Sequence, residues 1–445
     1  MIYQCDPTAT SWTQKCLRHA DLVLVLAQAS HGPEVTAVEK ELEALSVARR
    51  IRKELVLLWA DGTPHPLGTK DWLKLRPWLS AHTHMKVPPR MVRYKSEAKV
   101  EAWYRNPQNQ SAVDIHSDFS RLARALGGAS IGLVLGGGGA RGAAHLGMLK
   151  AIVEAGIPID KVGGVSIGAF MSGLWSLHRD LATVSQSCGV WFEFMQKKSN
   201  LMDLTYPITS LFSGVYFNGS IKEAFPEEIT IEDLWLPFYC VSTDISTSTE
   251  RVHRCFSILF GFLKYCLSFA PFLRSGTLWR YVRASMSYAW ILPPICDPVD
   301  GHLLMDGEPN SQKERLDDIS TGCYVNNVPG DVMLRSACSH IIVVDVTAPD
   351  DVELTNYGDA LSGWYLLWKK WNPFTSAVKI PTQNDIQVKV FFVNFRFSPT
   401  KTFRSDWPSA PTTRTSKHSS PTPITSISSL LLATSPGFGT KSILC

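Results

Sequence analysis

"IGLVLGGGGARGAAHLG" at residues 131–147 sets four consecutive glycines, Gly136, Gly137, Gly138 and Gly139, directly behind a short apolar run. The run has the length and aliphatic content of a buried strand, and the residues beyond the glycines read as a helix reaching about Ala155. Four adjacent positions without side chains let the main chain approach a partner closely. A phosphate, a dinucleotide and an oxyanion are the candidates. Outward from this stretch the rhythm repeats: an extended "IPIDKVGGV" at 157–165, a helix from Ser166, then strands at "FYCVSTDI" (238–245) and "HIIVVDV" (340–346). Strands alternating with helices imply an α/β fold with a mostly parallel sheet covered on both faces. Ligands of such sheets gather at the carboxyl ends of the strands, where the glycine turn lies.

Gly137, Gly139 and Gly142 satisfy G-x-G-x-x-G, and Asp160 stands at roughly the spacing of a ribose-binding acid, which alone suggests a dinucleotide site. A second feature decides against it. Gly164-Val165-Ser166-Ile167-Gly168 is a G-x-S-x-G sequence between a strand and a helix, the pattern of a nucleophile elbow. Acyl transfer passes through a tetrahedral oxyanion that needs N–H donors at about 3 Å. Gly137, Gly138 and Gly139 are therefore expected to supply them, with Arg141 as an orienting cation. Two bases remain open on the residues alone. His340 stands at a strand edge, although "SACSHIIVVD" reads more as the start of a strand than as a catalytic loop. In "HLLMDG" (302–307) an apolar strand delivers Asp306 to a glycine turn, and a carboxylate beside a serine hydroxyl in a desolvated site can take its proton.

The remainder of the chain divides around this region. "DLVLVLA" (21–27), a run of helical apolar spacing at 34–54 and "LVLLWA" (55–60) form a small α/β unit, followed by a polar, somewhat basic linker at 88–111. In "DIHSDFSRLARALGG" (114–128), Ser117 or Asp118 caps a helix that Gly127 and Gly128 stop. The expected organisation is a small unit with its linker at 1–110, a larger domain at 111–397 and a tail at 398–445. In that tail 26 of 48 residues are Ser, Thr or Pro, too polar a composition to bury a core, so it is expected to be disordered. Residues 255–274 are apolar apart from Lys264 and Arg274; the central lysine suits an interfacial or buried segment better than a membrane span. Residues 308–322 read as a polar loop.

A net charge of +4 from scattered Lys and Arg gives no basis for a nucleic-acid partner. Ten cysteines without a C-x-x-C pair argue against a zinc site and against a disulfide framework, and fit a reducing compartment. The start lacks a basic segment followed by an apolar one, so no signal peptide is expected, and the N-x-S sequons at Asn109 and Asn218 carry no weight.

GGGGARG at 136–142, His145 and Gly147 behind it, Ser166 within GVSIG and Asp306 within DG together resemble the patatin-like phospholipases. "HSDFSRLAR", "DLTYPITSLFSG", "IEDLWLPFYCVSTDI" and "LWRYVRASMS" are similar to the neuropathy target esterase group of that family, over roughly residues 1–394. The resemblance implies a three-layer patatin-like fold preceded by the small α/β unit. It implies a dyad of Ser166 and Asp306, an oxyanion loop at Gly137, Gly138, Gly139 and Arg141, elbow glycines Gly164 and Gly168, and neither metal nor cofactor. The implied reaction is hydrolysis of carboxylic esters of phospholipids and lysophospholipids, such as lysophosphatidylcholine, through an acyl-enzyme. The implied partners are that lipid and a membrane surface, on the cytoplasmic face of the endoplasmic reticulum. A catalytically impaired or truncated isoform acting as a lipid-binding protein is the alternative. The sequence departs from the family pattern by the stretches at 255–274 and 308–322, and the family's membrane anchor and cyclic-nucleotide-binding-like domains have no counterpart in it.

Overall fold

Two sets of aliphatic strands organise two sheets. The computed structural model describes residues 2–346 except 7, 9, 45–50, 89–95, 107–113, 198–201, 256–275 and 307–327, together with 362 and 442–444. In the first sheet β1 (Leu22–Gln28), β2 (Arg52–Ala60) and β3 (Ala81–Val87) run parallel in that order. Both faces are covered, which is why the strands read as nearly unbroken apolar runs. Val23, Val25, Leu55 and Leu57 pack on one side with Leu42, Trp72 and Leu73. Leu24, Leu26, Val56 and Met85 pack on the other with Leu122. The helices of this part are α1 (Ser11–His19), α2 (Ala37–Ala44), α3 (Thr69–Lys74), α4 (Glu97–Arg105) and α5 (Asp118–Leu126).

The helical spacing read over 34–54 overruns its element, because Arg52, Lys53 and Glu54 are recruited into β2 opposite Leu22, Val23 and Leu24. Cross-strand pairing outweighs their helix propensity. Conversely, the stretch read as a linker contains α4, whose Glu-Ala-Lys-Val-Glu-Ala start is made of good helix formers. α5 begins where the sequence places it: the Ser117 hydroxyl accepts from Ser120 N, and Gly127 is the C-cap.

The second sheet has the order β10-β4-β5-β6-β9-β8, where β4 is Ile131–Leu135, β5 Lys161–Val165, β6 Phe238–Asp244, β8 Ile295–Cys296, β9 Leu303–Met305 and β10 His340–Val344; β7 (Thr249–Arg254) also pairs with β6. β10, β4, β5 and β6 are mutually parallel. Around them lie α6 (Ala143–Glu154), α7 (Ile167–His178), α8 (Leu181–Gln196), α9 (Val215–Ala224), α10 (Leu278–Ser285) and α11 (Gly330–Leu334). α7 is buried on every side from Ile167 through Leu177, as a helix that is apolar all round must be. It joins Leu133, Leu135, Phe225 and Val282 on one face of the sheet, while Val134, Val165 and Val241 pack with Val332 and Met333 on the other. The result is the expected α/β arrangement of helices on both faces of a parallel-dominated sheet, preceded by the small parallel unit.

The small unit grips the segment that leads into β6. His82 and His84 ring nitrogens donate to the Glu232 carbonyl at 3.0 and 2.8 Å, Thr69 N donates to Asp233 Oδ1 at 3.0 Å, and Arg121 Nη1 donates to Trp235 O at 2.9 Å. α5, which a boundary at 110 assigns to the larger domain, lays Leu122 on the small sheet while its Arg124 holds Asp160 at the base of the larger one. Beyond Cys255, whose Sγ lies 3.3 Å from His82 Nδ1, the apolar stretch at 256–274 is outside the described residues, as is the one at 308–322. Of the tail expected to be disordered, only 442–444 is described. There the apolar Ser442–Leu444 forms β11, antiparallel to β1 and supplying hydrogen-bond partners to its otherwise open edge, so the disorder expected to the terminus does not extend to these three residues.

Candidate active site

Strand register brings Ser166 and Asp306 together. β7 pairs with β6 along 239–244 and occupies one of its edges. On the other edge β5 reaches as far as Val165 opposite Val241, and β9 arrives antiparallel with Met305 opposite Thr243. The two strands thus end facing each other across position 242, and the next residue of each is Ser166 and Asp306. The Ser166 hydroxyl donates to Asp306 Oδ2 at 2.8 Å. Asp306 is buried, and its own N–H donates to Ser287 O at 3.1 Å.

Ser166 has φ 54° and ψ −126°, left-handed backbone that a non-glycine residue holds only at a cost of about 1–3 kcal/mol. The surroundings impose it. The Ser166 N–H donates to Ser285 Oγ at 2.8 Å, and the Ser285 hydroxyl donates to Val241 O at 2.6 Å. The end of α10 therefore holds both members of the pair, the serine through Ser285 and the aspartate through Ser287. Arg283, on the same helix and buried, braces this turn. Its Nη1 donates to Ser287 Oγ, its Nε to Asn218 Oδ1 at 2.7 Å and its Nη2 to Pro293 O at 3.3 Å. Burial pushes the Arg283 pKa down to about 10, which still leaves it a cation at neutral pH.

The elbow glycines are there for close approach. A Cβ on Gly168 would stand 2.1 Å from Leu135 O and 2.6 Å from Gly136 O, and one on Gly164 would stand 2.6 Å from Leu135 O. The first turn of α7 thus rests directly on the end of β4, where the glycine loop begins. Gly136 is tied down on both sides: its N–H donates to Val344 O at 2.9 Å, and its carbonyl accepts from His145 Nε2 at 2.9 Å. Burial pushes the His145 pKa below its ordinary value, so the ring stays neutral with its proton on Nε2. Beyond Gly136, none of the backbone–backbone hydrogen bonds among the described residues uses the amides of Gly137, Gly138 and Gly139. Gly139 turns at φ +56° into a short 3-10 segment, Gly139–Gly142. The Arg141 side chain is exposed and makes no ion pair with a described residue.

The other candidates lie at the far end of the sheet. His340 opens β10 opposite Ile131, the first residue of β4, about 13 Å of strand rise from the carboxyl ends where Ser166 stands. It is not in reach as a base. Asp160 is equally remote. It accepts from Arg124 Nε at 2.9 Å and from Ile131 N at 2.9 Å, so the acid that completes a dinucleotide pattern in sequence is a structural anchor. Ser285, Ser287 and Arg283 were not marked by any local pattern; they sit in "RASMS" at the end of an otherwise ordinary amphipathic helix.

Residues 1–128 match the Neuropathy Target Esterase family P-loop like domain, and residues 133–329 match the Patatin-like phospholipase domain. Neuropathy target esterase sws of Drosophila melanogaster is 47% identical over 395 residues, covering 88% of this chain and 25% of that protein. The Drosophila persimilis protein of the same name is 46% identical, covering 88% of this chain and 28% of its own length. This chain therefore spans about a quarter of the length of these curated relatives. Among solved structures, VipD from Legionella pneumophila aligns at 16% identity over 42% of this chain and 48% of that one, with a TM-score of 0.26. The two matched domains, joined in one chain at this level of identity, make it a member of the patatin-like phospholipase family, of the neuropathy target esterase group.

Proposed function

We propose that this chain is a serine esterase that hydrolyses carboxylic esters of phospholipids and lysophospholipids, lysophosphatidylcholine among them, through a Ser166–Asp306 dyad. The observation that carries it is the 2.8 Å hydrogen bond from the Ser166 hydroxyl to Asp306 Oδ2 at a strained strand-to-helix turn. As the Ser166 oxygen attacks the ester carbonyl, its proton passes to Asp306, and the carbonyl oxygen gains charge. The amides of Gly137, Gly138 and Gly139 are the donors proposed to face that oxygen, in a loop fixed by His145 and Val344. Collapse of the tetrahedral intermediate breaks the bond to the glycerol oxygen, which takes the proton back from Asp306 and leaves as the alcohol. Water, deprotonated by the same carboxylate, then attacks the acyl carbon, and the Ser166 oxygen leaves with the proton returned by Asp306, releasing the fatty acid and restoring the dyad. Arg141, exposed beside the loop, adds positive potential for the phosphate of the headgroup. The substrate places the chain at a membrane surface, and the resemblance suggests the cytoplasmic face of the endoplasmic reticulum; among the described residues no helix is long and apolar enough to cross a membrane.

The test is product analysis with purified chain and lysophosphatidylcholine. Free fatty acid and glycerophosphocholine are expected in equal amounts. Release of choline or phosphocholine, or no turnover of any carboxylic ester, contradicts the proposal.

A further inference from the structure

Beside the dyad the chain displays an apolar surface that the fold does not need. Met202, Tyr206 and Ile208 are 81%, 81% and 80% exposed, and Leu204, Leu211, Val215, Trp290 and Ile291 are exposed around them. Isolated exposed apolar side chains are ordinary; a contiguous set is not. These are contiguous because their backbones are joined. Leu204 bridges Phe212, Leu211 N donates to Trp290 O at 2.8 Å, and Phe212 N donates to Ile291 O at 3.0 Å. The loop is closed at its base by Asp203, which accepts from Gly214 N at 2.9 Å and from the Ser213 hydroxyl. The side chains therefore project from an ordered platform.

Its composition selects the occupant. Between residues 202 and 217 the only charged side chain is Asp203, buried and turned inward, and between 285 and 296 there is none. A protein interface ordinarily carries a polar rim with hydrogen-bonding and charged groups, whereas this surface offers aliphatic groups with Tyr206, Tyr216 and Trp290, the residue types that settle where hydrocarbon meets headgroups. Position points the same way. Trp290 is three residues from Ser287, whose carbonyl holds Asp306, so the platform begins within about 11 Å of chain from the residue that anchors the aspartate.

We infer that the segments 202–216 and 288–291 form the surface by which this chain docks on an electrically neutral phospholipid bilayer, setting the dyad at the lipid interface. The inference rests on the lipid-esterase function proposed above and names the surface through which substrate reaches that site. Because the platform is uncharged, its share of binding is independent of anionic lipid and of salt.

The experiment uses the full chain, phosphatidylcholine vesicles with and without lysophosphatidylcholine, and a Tyr206→Ser/Ile208→Ser double variant, whose substituted side chains are exposed enough to leave folding intact. Expected are a fall of about tenfold in vesicle partitioning, unchanged by 0.5 M salt, a matching rise in KM for vesicle-borne lysophosphatidylcholine, and kcat on a water-soluble short-chain ester within twofold of the parent. Equal partitioning of parent and variant overturns the inference. So does loss of self-association or of a protein partner in the variant with partitioning unchanged, which makes the platform a protein interface. If the parent binds vesicles through this surface but cleaves neither ester, the docking surface stands and the proposed esterase function falls.

Discussion

Asp306→Asn is expected to lower kcat on any carboxylic ester by roughly ten-thousandfold, the size of loss seen when an acid in a serine-hydrolase triad is neutralised. The amide is isosteric with the carboxylate, the N–H bond to Ser287 O is made by the main chain, and β9 is unchanged, so the fold and the approach to Ser166 survive. What is lost is the group that takes the proton: an amide oxygen can accept a hydrogen bond from the serine but cannot become its acid. The melting temperature should consequently stay within a few degrees of the parent. His340→Ala is the paired control. That ring sits at the opposite end of the parallel strands, and its removal should change kcat by less than twofold. Steady-state kinetics on one soluble ester with both variants decides the matter, and a large loss in His340→Ala with a small one in Asp306→Asn would replace the dyad by a histidine mechanism.

Gly168→Ala should combine a large loss of rate with a loss of stability. The added Cβ would stand 2.1 Å from Leu135 O and 2.6 Å from Gly136 O, both main-chain atoms where β4 ends and the glycine loop begins. Neither can rotate away, so α7 must retreat by about 1 Å, enough by itself to cost roughly a hundredfold in rate when it displaces a nucleophile. Overpacking of this kind costs about 1–3 kcal/mol of stability, and the upper end is expected where main-chain atoms are in the way. Gly147 provides the contrast. It lies inside α6 with nothing within 4 Å of an added Cβ, so Gly147→Ala should be neutral or stabilising, by about 0.5–1 kcal/mol, with unchanged kcat. Denaturant titration together with kcat for the two variants checks both halves.

How much could be read in advance follows from what each feature depends on. The strand at 131–135, the capped helix at 118–126 and the elbow at Ser166 were legible because their signals are local: an aliphatic run, a serine cap with a glycine stop, glycines flanking a serine. The strand that ends just before Asp306 was legible for the same reason, as a short apolar run that forms β9. Asp160 completes a dinucleotide pattern in sequence only, because spacing along the chain says nothing about which end of a sheet a residue occupies; it lies before β5, and the glycine loop follows β4. Arg52, Lys53 and Glu54 read as helix because their pairing with β1 is a long-range event. The serines that hold the pair were invisible for a related cause: Ser285 acts on a residue 119 positions away, and no neighbour in the chain betrays it. The apolar platform likewise exists only once 210–212 is bonded to 290–291.

The central claim, that the strained serine held against Asp306 is the nucleophile, is tested most directly by intact-protein and peptide mass measurement after exposure to a fluorophosphonate. The hydrogen bond from Ser166 to Asp306 requires a single phosphonyl adduct on Ser166, with labelling abolished in Ser166→Ala and slowed by orders of magnitude in Asp306→Asn. An adduct on any other residue, or equal labelling of the parent and Ser166→Ala, would contradict it.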